Sequence, residues 1–132
     1  MPSQPNTQIS LSQFFLAALF ILAGVLHFVA PTPYLRIMPP YLPYPLVLVY
    51  LSGIAEITGG AGVLFARTRY AAGIGLILLL IAIFPANVQM LLDADRAPLL
   101  IKLLYFLRLP LQGVLIVWAW RATRPSPLHA TK

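Results

Sequence analysis

Four polar side chains stand in apolar surroundings where they could hold a ligand or pass a proton: His27, Glu56, Asn87 and Arg108. Glu56 and His27 can exchange protons, and Arg108 and Asn87 can donate hydrogen bonds to a carbonyl oxygen. Tyr105, Arg108 and Gln112 follow at i, i+3 and i+7, so on a helix they form one stripe. These six residues make a candidate ligand site. No single helix carries a two-His or His–carboxylate pair at metal-ligand spacing, and the chain has no cysteine, so no metal is expected.

The elements that must position these groups follow from composition. Of 132 residues, 60% are hydrophobic and only 9% are charged, against about 25% charged in soluble domains. A core of this size cannot hide that much apolar side chain from water, so the fitting solvent is a lipid bilayer. The net charge of +6 does not point to nucleic acid, because the Lys and Arg residues form no dense patch. Four apolar runs, 11–29, 45–66, 70–92 and 98–121, are each close to the ~20 residues that a spanning helix needs. The fold class is therefore all-α, a transmembrane four-helix bundle. Residues 1–10 are polar and expected to be disordered, and 122–132 to form a short basic cytoplasmic tail. The first run reads as a retained helix, because no Lys or Arg precedes it and Pro31 follows the small-residue site at Ala30.

Depth sharpens the site. Glu56 lies about 11 residues, or ~16 Å, into the second run, and Arg108 about 10 residues, or ~15 Å, into the fourth. A charge at the centre of a spanning helix costs at least ~2.5 kcal/mol, so the matching depths predict a Glu56–Arg108 ion pair. Such a pair has two readings, a structural tie between helices or part of a functional site, and the alternative to the pair is an Arg108 that snorkels outward, as Lys102 is expected to do. In the fourth run Pro110 is read into the Tyr105–Gln112 stripe, freeing the Phe106 carbonyl beside Arg108 and Gln112 as a polar wall. In the third run Phe84, Asn87 and Leu91 are read as one face, with Pro85 as a kink and Gln89 pointing elsewhere. In the first, Phe20, Ala23, Gly24 and His27 share a face.

The connection from Ala30 to Tyr44 carries Pro31, Pro33, Pro39, Pro40 and Pro43, interleaved with Tyr34, Tyr41 and Tyr44. It reads as a stiff connector or a lid, with its tyrosines at headgroup depth. Ala55 with Gly59, and Ala71 with Gly75, are small-xxx-small pairs, suited to packing within one bundle or to a homo-oligomer. Four spans put both termini on one side, with Arg67, Arg69, Arg121, Arg124 and Lys132 against Arg36, Arg96 and Lys102. That bias places the termini in the cytoplasm.

The stretches Ala23-Gly24-Val25-Leu26-His27-Phe28, Ser52-Gly53-Ile54-Ala55-Glu56, Phe84-Pro85-Ala86-Asn87 and Leu107-Arg108-Leu109-Pro110-Leu111-Gln112, with the proline-rich loop, resemble the DoxX-like membrane proteins. The resemblance spans roughly 11–120. It implies a compact four-helix bundle in the inner membrane, in a group linked to quinone-coupled sulfur oxidation and to receptor assembly. The fold it implies also looks like that of vitamin K epoxide reductase, whose cysteines this chain lacks. The leading expectation is an accessory subunit of a membrane redox complex, with a quinone- or lipid-binding pocket. The alternatives are a non-catalytic assembly factor for a client membrane protein and a small-molecule transporter. Quinone is the one cofactor suggested, and catalysis by the chain itself is left open.

Overall fold

The computed structural model describes residues 8–126. The chain is all-helical over these residues: α1 (Leu11–Val29), the short α2 (Pro31–Arg36), α3 (Pro45–Leu64), α4 (Arg69–Leu92) and α5 (Leu99–Thr123), with a 3-10 turn at Asp93–Arg96 after α4. α1, α3, α4 and α5 are each long and apolar enough to cross a membrane, the architecture of a multi-pass membrane protein. The ends of these four fall within a residue or two of those read from the apolar runs. Most of the N-terminal segment, and 127–132 of the tail with His129 and Lys132, lie outside the described residues.

Two end segments correct the sequence reading. Ser10 is ordered as the N-cap of α1: its hydroxyl accepts from the Gln13 amide at 3.2 Å, and its own amide donates to Gln13 Oε1 at 3.0 Å. This capping box satisfies two amides that the helix start leaves without partners. At the other terminus α5 continues through Ala122 and Thr123, and the buried Thr123 hydroxyl donates to the Ala119 carbonyl at 2.6 Å.

The helices pack in the cyclic order α1, α3, α4, α5. The α1–α3 seam is the most intimate, and α5 touches α1 only sparsely. Glycine explains the tight seam. A Cβ at Gly24 would stand 2.7 Å from the Gly53 carbonyl oxygen, and one at Gly60 would stand 2.9 Å from that of Ala17. The close approach therefore runs along Gly53 and Gly60, seven residues apart on the face that also carries Glu56. It does not run along Ala55 and Gly59: Ala55 is exposed, and Gly59 packs on Leu76 of α4. Gly75 has open space around it.

At the end where α1 begins and α5 finishes, here the termini end, the core is apolar: Leu16, Ala17, Phe20, Val63, Leu76, Leu80 and Ala119. Two hydrogen bonds tie α1 to α5 there, Gln13 Nε2 to the Ala122 carbonyl at 2.9 Å and Trp118 Nε1 to Ser12 Oγ at 2.8 Å. The opposite end, here the loop end, carries α2, the prolines and the α4–α5 turn.

Candidate functional site: a polar chamber at the loop end

At the loop end the side chains from four helices do not close into a core. They enclose a chamber of about 120 Å³ whose polar lining is His27, Tyr34, Ser52, Glu56, Asn87 and Arg108. Each arrives by a simple rule. His27 lies one helical turn beyond Ala23 on the buried face of α1, and its Nδ1–H donates to the Ala23 carbonyl at 2.9 Å. Glu56 lies on the glycine face of α3, so the seam that brings Gly53 against Gly24 also carries the carboxylate inward. Asn87 shares its buried face with Leu80 and Met90, while Phe84 turns outward. Gln89 points away and donates to Asp93 Oδ1 at 2.9 Å.

The Glu56–Arg108 ion pair does not form. Among the described residues the one ion-pair contact is between His27 Nδ1 and Glu56 Oε2, at 3.4 Å. α3 and α5 are diagonal in the cycle, and the chamber lies between them, so the carboxylate and the guanidinium line the same space without touching. Arg108 is exposed and makes no hydrogen bond to another described residue. The Glu56 side chain is 8% exposed, yet its Oε2 has no hydrogen-bond partner among the described residues.

Gln112 has a different role from the one its stripe suggests. Its Oε1 accepts from Asn87 Nδ2 at 2.6 Å, and its Nε2 donates to the Leu80 carbonyl. It thereby locks α5 to α4 and commits the Asn87 amide nitrogen, while among the described residues nothing donates to Asn87 Oδ1. Pro110 is not part of this wall. It stands two residues from both Arg108 and Gln112, about 200° around the helix at 3.6 residues per turn, and lines an outward groove with Gly113 and Val114. α4 and α5 both continue through their prolines.

The residue that sequence reasoning missed is Tyr34. Its ring stacks on His27 with centroids 3.8 Å apart. α2 forms despite the proline density because Pro31 and Pro33 occupy its first turn, where no amide donor is needed. Burial pushes the Tyr34 phenol above its ordinary pKa, the Glu56 charge adds to that, and Arg108 opposes it. Tyr41 and Tyr44 are exposed.

The chamber has two ways out. A cleft of about 450 Å³ runs from Glu56, Asn87 and Arg108 between α1 and α5, walled by Leu19, Leu104, Leu107 and Leu111. These four leucines are all exposed on the outside of the bundle, so the cleft opens sideways. A second opening of about 360 Å³, lined by Tyr34, Tyr105 and Arg108, leads to the loop end. Arg108 borders all three spaces. Among the described residues no three His, Asp or Glu side chains cluster as a metal centre requires.

A family model described as a domain of unknown function, DUF8561, matches residues 16–123. The chain belongs to the DUF8561 family. The matched segment contains the whole chamber, from Ala23 in α1 to Arg108 in α5, and its side cleft, from Leu19 to Leu115. No curated protein and no solved structure matches the chain. The functional reading of this DUF8561 member therefore rests on the chamber itself.

Proposed function

We propose that this protein is a DoxX-like accessory subunit of a membrane redox system, and that it binds a quinone or a lipid of similar build in the chamber. The observation that carries the reading is the state of Arg108. A guanidinium about 14 Å into a spanning helix, with no hydrogen-bond partner among the described residues, costs at least ~2.5 kcal/mol if it stays in the hydrocarbon. A mere tie between helices would place the two charges in contact, and here the space between them is open. That space joins a leucine-walled cleft that faces the hydrocarbon, the shape expected for a polar head with an apolar tail. Arg108 donates to the head group's oxygen, and Glu56 and His27 exchange protons with it. None of these side chains carries electrons, so a partner supplies that step. In this reading the chamber faces the outer leaflet of the inner membrane, and both termini are cytoplasmic.

The test is a thermal-shift titration of detergent-solubilised protein with decylubiquinone and, separately, with a total lipid extract. A ligand at a hundred times its Kd stabilises by about 2.7 kcal/mol. A rise in Tm for the native protein that is absent in Arg108→Gln supports the proposal. No rise with either addition removes it.

One observation favours a second reading, an assembly factor for a client membrane protein. Leu100, Leu103, Phe106, Leu107, Val114 and Val117 of α5 are all exposed, and its neighbours cover little of it. A client that fails to mature when the gene is deleted, with no ligand in the chamber, would favour that reading.

A further inference from the structure

Donors and acceptors in the chamber are unequally filled, and the inequality specifies the head group. Glu56 is nine-tenths buried, and among the described residues no hydrogen bond reaches its carboxylate; the nearest donor, His27 Nδ1, is committed to Ala23. An ionised carboxylate only accepts, so the missing partner is a donor. Across the chamber Arg108 only donates, so it requires an acceptor. Apart from His27, these are the two ionisable side chains of opposite charge in the lining, and their charges cancel.

We propose that the chamber takes a neutral single-ring phenol or hydroquinone with an apolar tail, its hydroxyl donating to Glu56 and an oxygen across the ring accepting from Arg108. The inference rests on the chamber being a ligand site and names the form of ligand it prefers. Size agrees: a cavity of about 150 Å³ admits benzene, and the chamber of about 120 Å³ widens into both exits at Arg108. The stacked His27 and Tyr34 rings give it an aromatic wall. The tail lies in the cleft along Leu104, Leu107 and Leu111. Charge selects in the same direction. A neutral ligand leaves the Glu56–Arg108 balance intact, while a fatty-acid anion adds an uncompensated charge in a medium of low dielectric. Redox state selects too. The oxidised quinone has no hydroxyl, so it leaves the carboxylate unsatisfied and sets a carbonyl oxygen against it.

The experiment is calorimetric titration of the full chain in detergent with 2-decylhydroquinone held reduced under anaerobic conditions, 2-decyl-1,4-benzoquinone, and decanoate. The expected result is hydroquinone binding at least tenfold tighter than the quinone, with decanoate weaker than both. Equal affinity for hydroquinone and quinone overturns this inference while leaving the pocket standing, as does decanoate binding as tightly as the hydroquinone. Binding of none of the three removes the pocket reading and this inference with it. In Glu56→Gln, whose amide can donate to a carbonyl, the preference is expected to fall below twofold with quinone binding retained, which also reports that the variant is folded. A tenfold preference surviving in that variant places the hydroxyl elsewhere and overturns the assignment.

Discussion

The termini end and the loop end of this bundle are made from the same four helices and are packed in opposite ways. At the termini end Leu16, Val63, Leu76 and Ala119 are fully enclosed, and the Gln13–Ala122 and Trp118–Ser12 hydrogen bonds close α1 onto α5. At the loop end the same two helices part around a cleft, and His27, Glu56 and Asn87 are buried polar side chains beside apolar ones such as Val49 and Met90. Lipid is as apolar as the core, so burial of leucine supplies no net drive between spanning helices, and close packing must supply it. The termini end has that packing. The loop end keeps it only along the α1–α3 glycines, opens between α1 and α5, and holds a guanidinium that has no hydrogen-bond partner among the described residues, as expected if it is the working end.

The largest effect is expected from crowding the seam that serves both ends. Gly60→Leu drives a side chain into the Ala17 carbonyl, which is backbone and cannot yield. The loss should exceed ~3 kcal/mol, read as unfolding at a lower SDS fraction or as failure to accumulate. Leu76→Ala removes a side chain with no exposure at all and should cost about 2 to 3 kcal/mol, with ligand binding by the remaining folded protein unchanged. Gln112→Leu breaks the Asn87–Gln112–Leu80 bridge and should cost about 1 kcal/mol, but it also frees the Asn87 amide and should weaken binding. A Gln112→Leu variant that binds normally would show that Asn87 needs no fixed orientation.

The smallest stability effect concerns Tyr34 and appears with pH. Its folded-state pKa lies above the ordinary 10.0 because burial, then the Glu56 charge, disfavour the phenolate. A raised pKa means that its contribution is fully present below pH 10.0 and is lost as pH rises through the folded value. Native protein should therefore lose Tm as pH rises above 10.0 more steeply than Tyr34→Phe. Parallel curves would mean that the phenol does not report on closure of the chamber.

How much of this was legible in the sequence divides along the same line. Helix number, approximate ends and the inward polar residues follow from run length and from the cost of charge in hydrocarbon. Which small residues meet does not, because a helix apolar on every side has no amphipathic pattern to tell Gly53 and Gly60 from Ala55 and Gly59. The Glu56–Arg108 contact failed for a related reason: equal depth fixes height along the bundle, not which helices are adjacent. Pro110 could have been excluded from the arginine stripe by its angle alone. Ser10 could have been assigned from the Ser-x-x-Gln capping box. Tyr34 could not, since nothing local distinguishes it from Tyr41 and Tyr44; its place is set by where α2 lies over His27.

The central claim is that Arg108 is held for a ligand and not for the fold. The most direct measurement is native mass spectrometry of detergent-purified protein, native beside Arg108→Gln, with Tm recorded for both. The account predicts a co-purifying amphiphile on the native protein that is lost in the variant, and, once both are stripped of ligand, a variant no less stable than the native protein, because an unpartnered guanidinium has been removed. An Arg108→Gln variant that fails to fold, with nothing bound to the native protein, would contradict it and make the arginine part of the architecture.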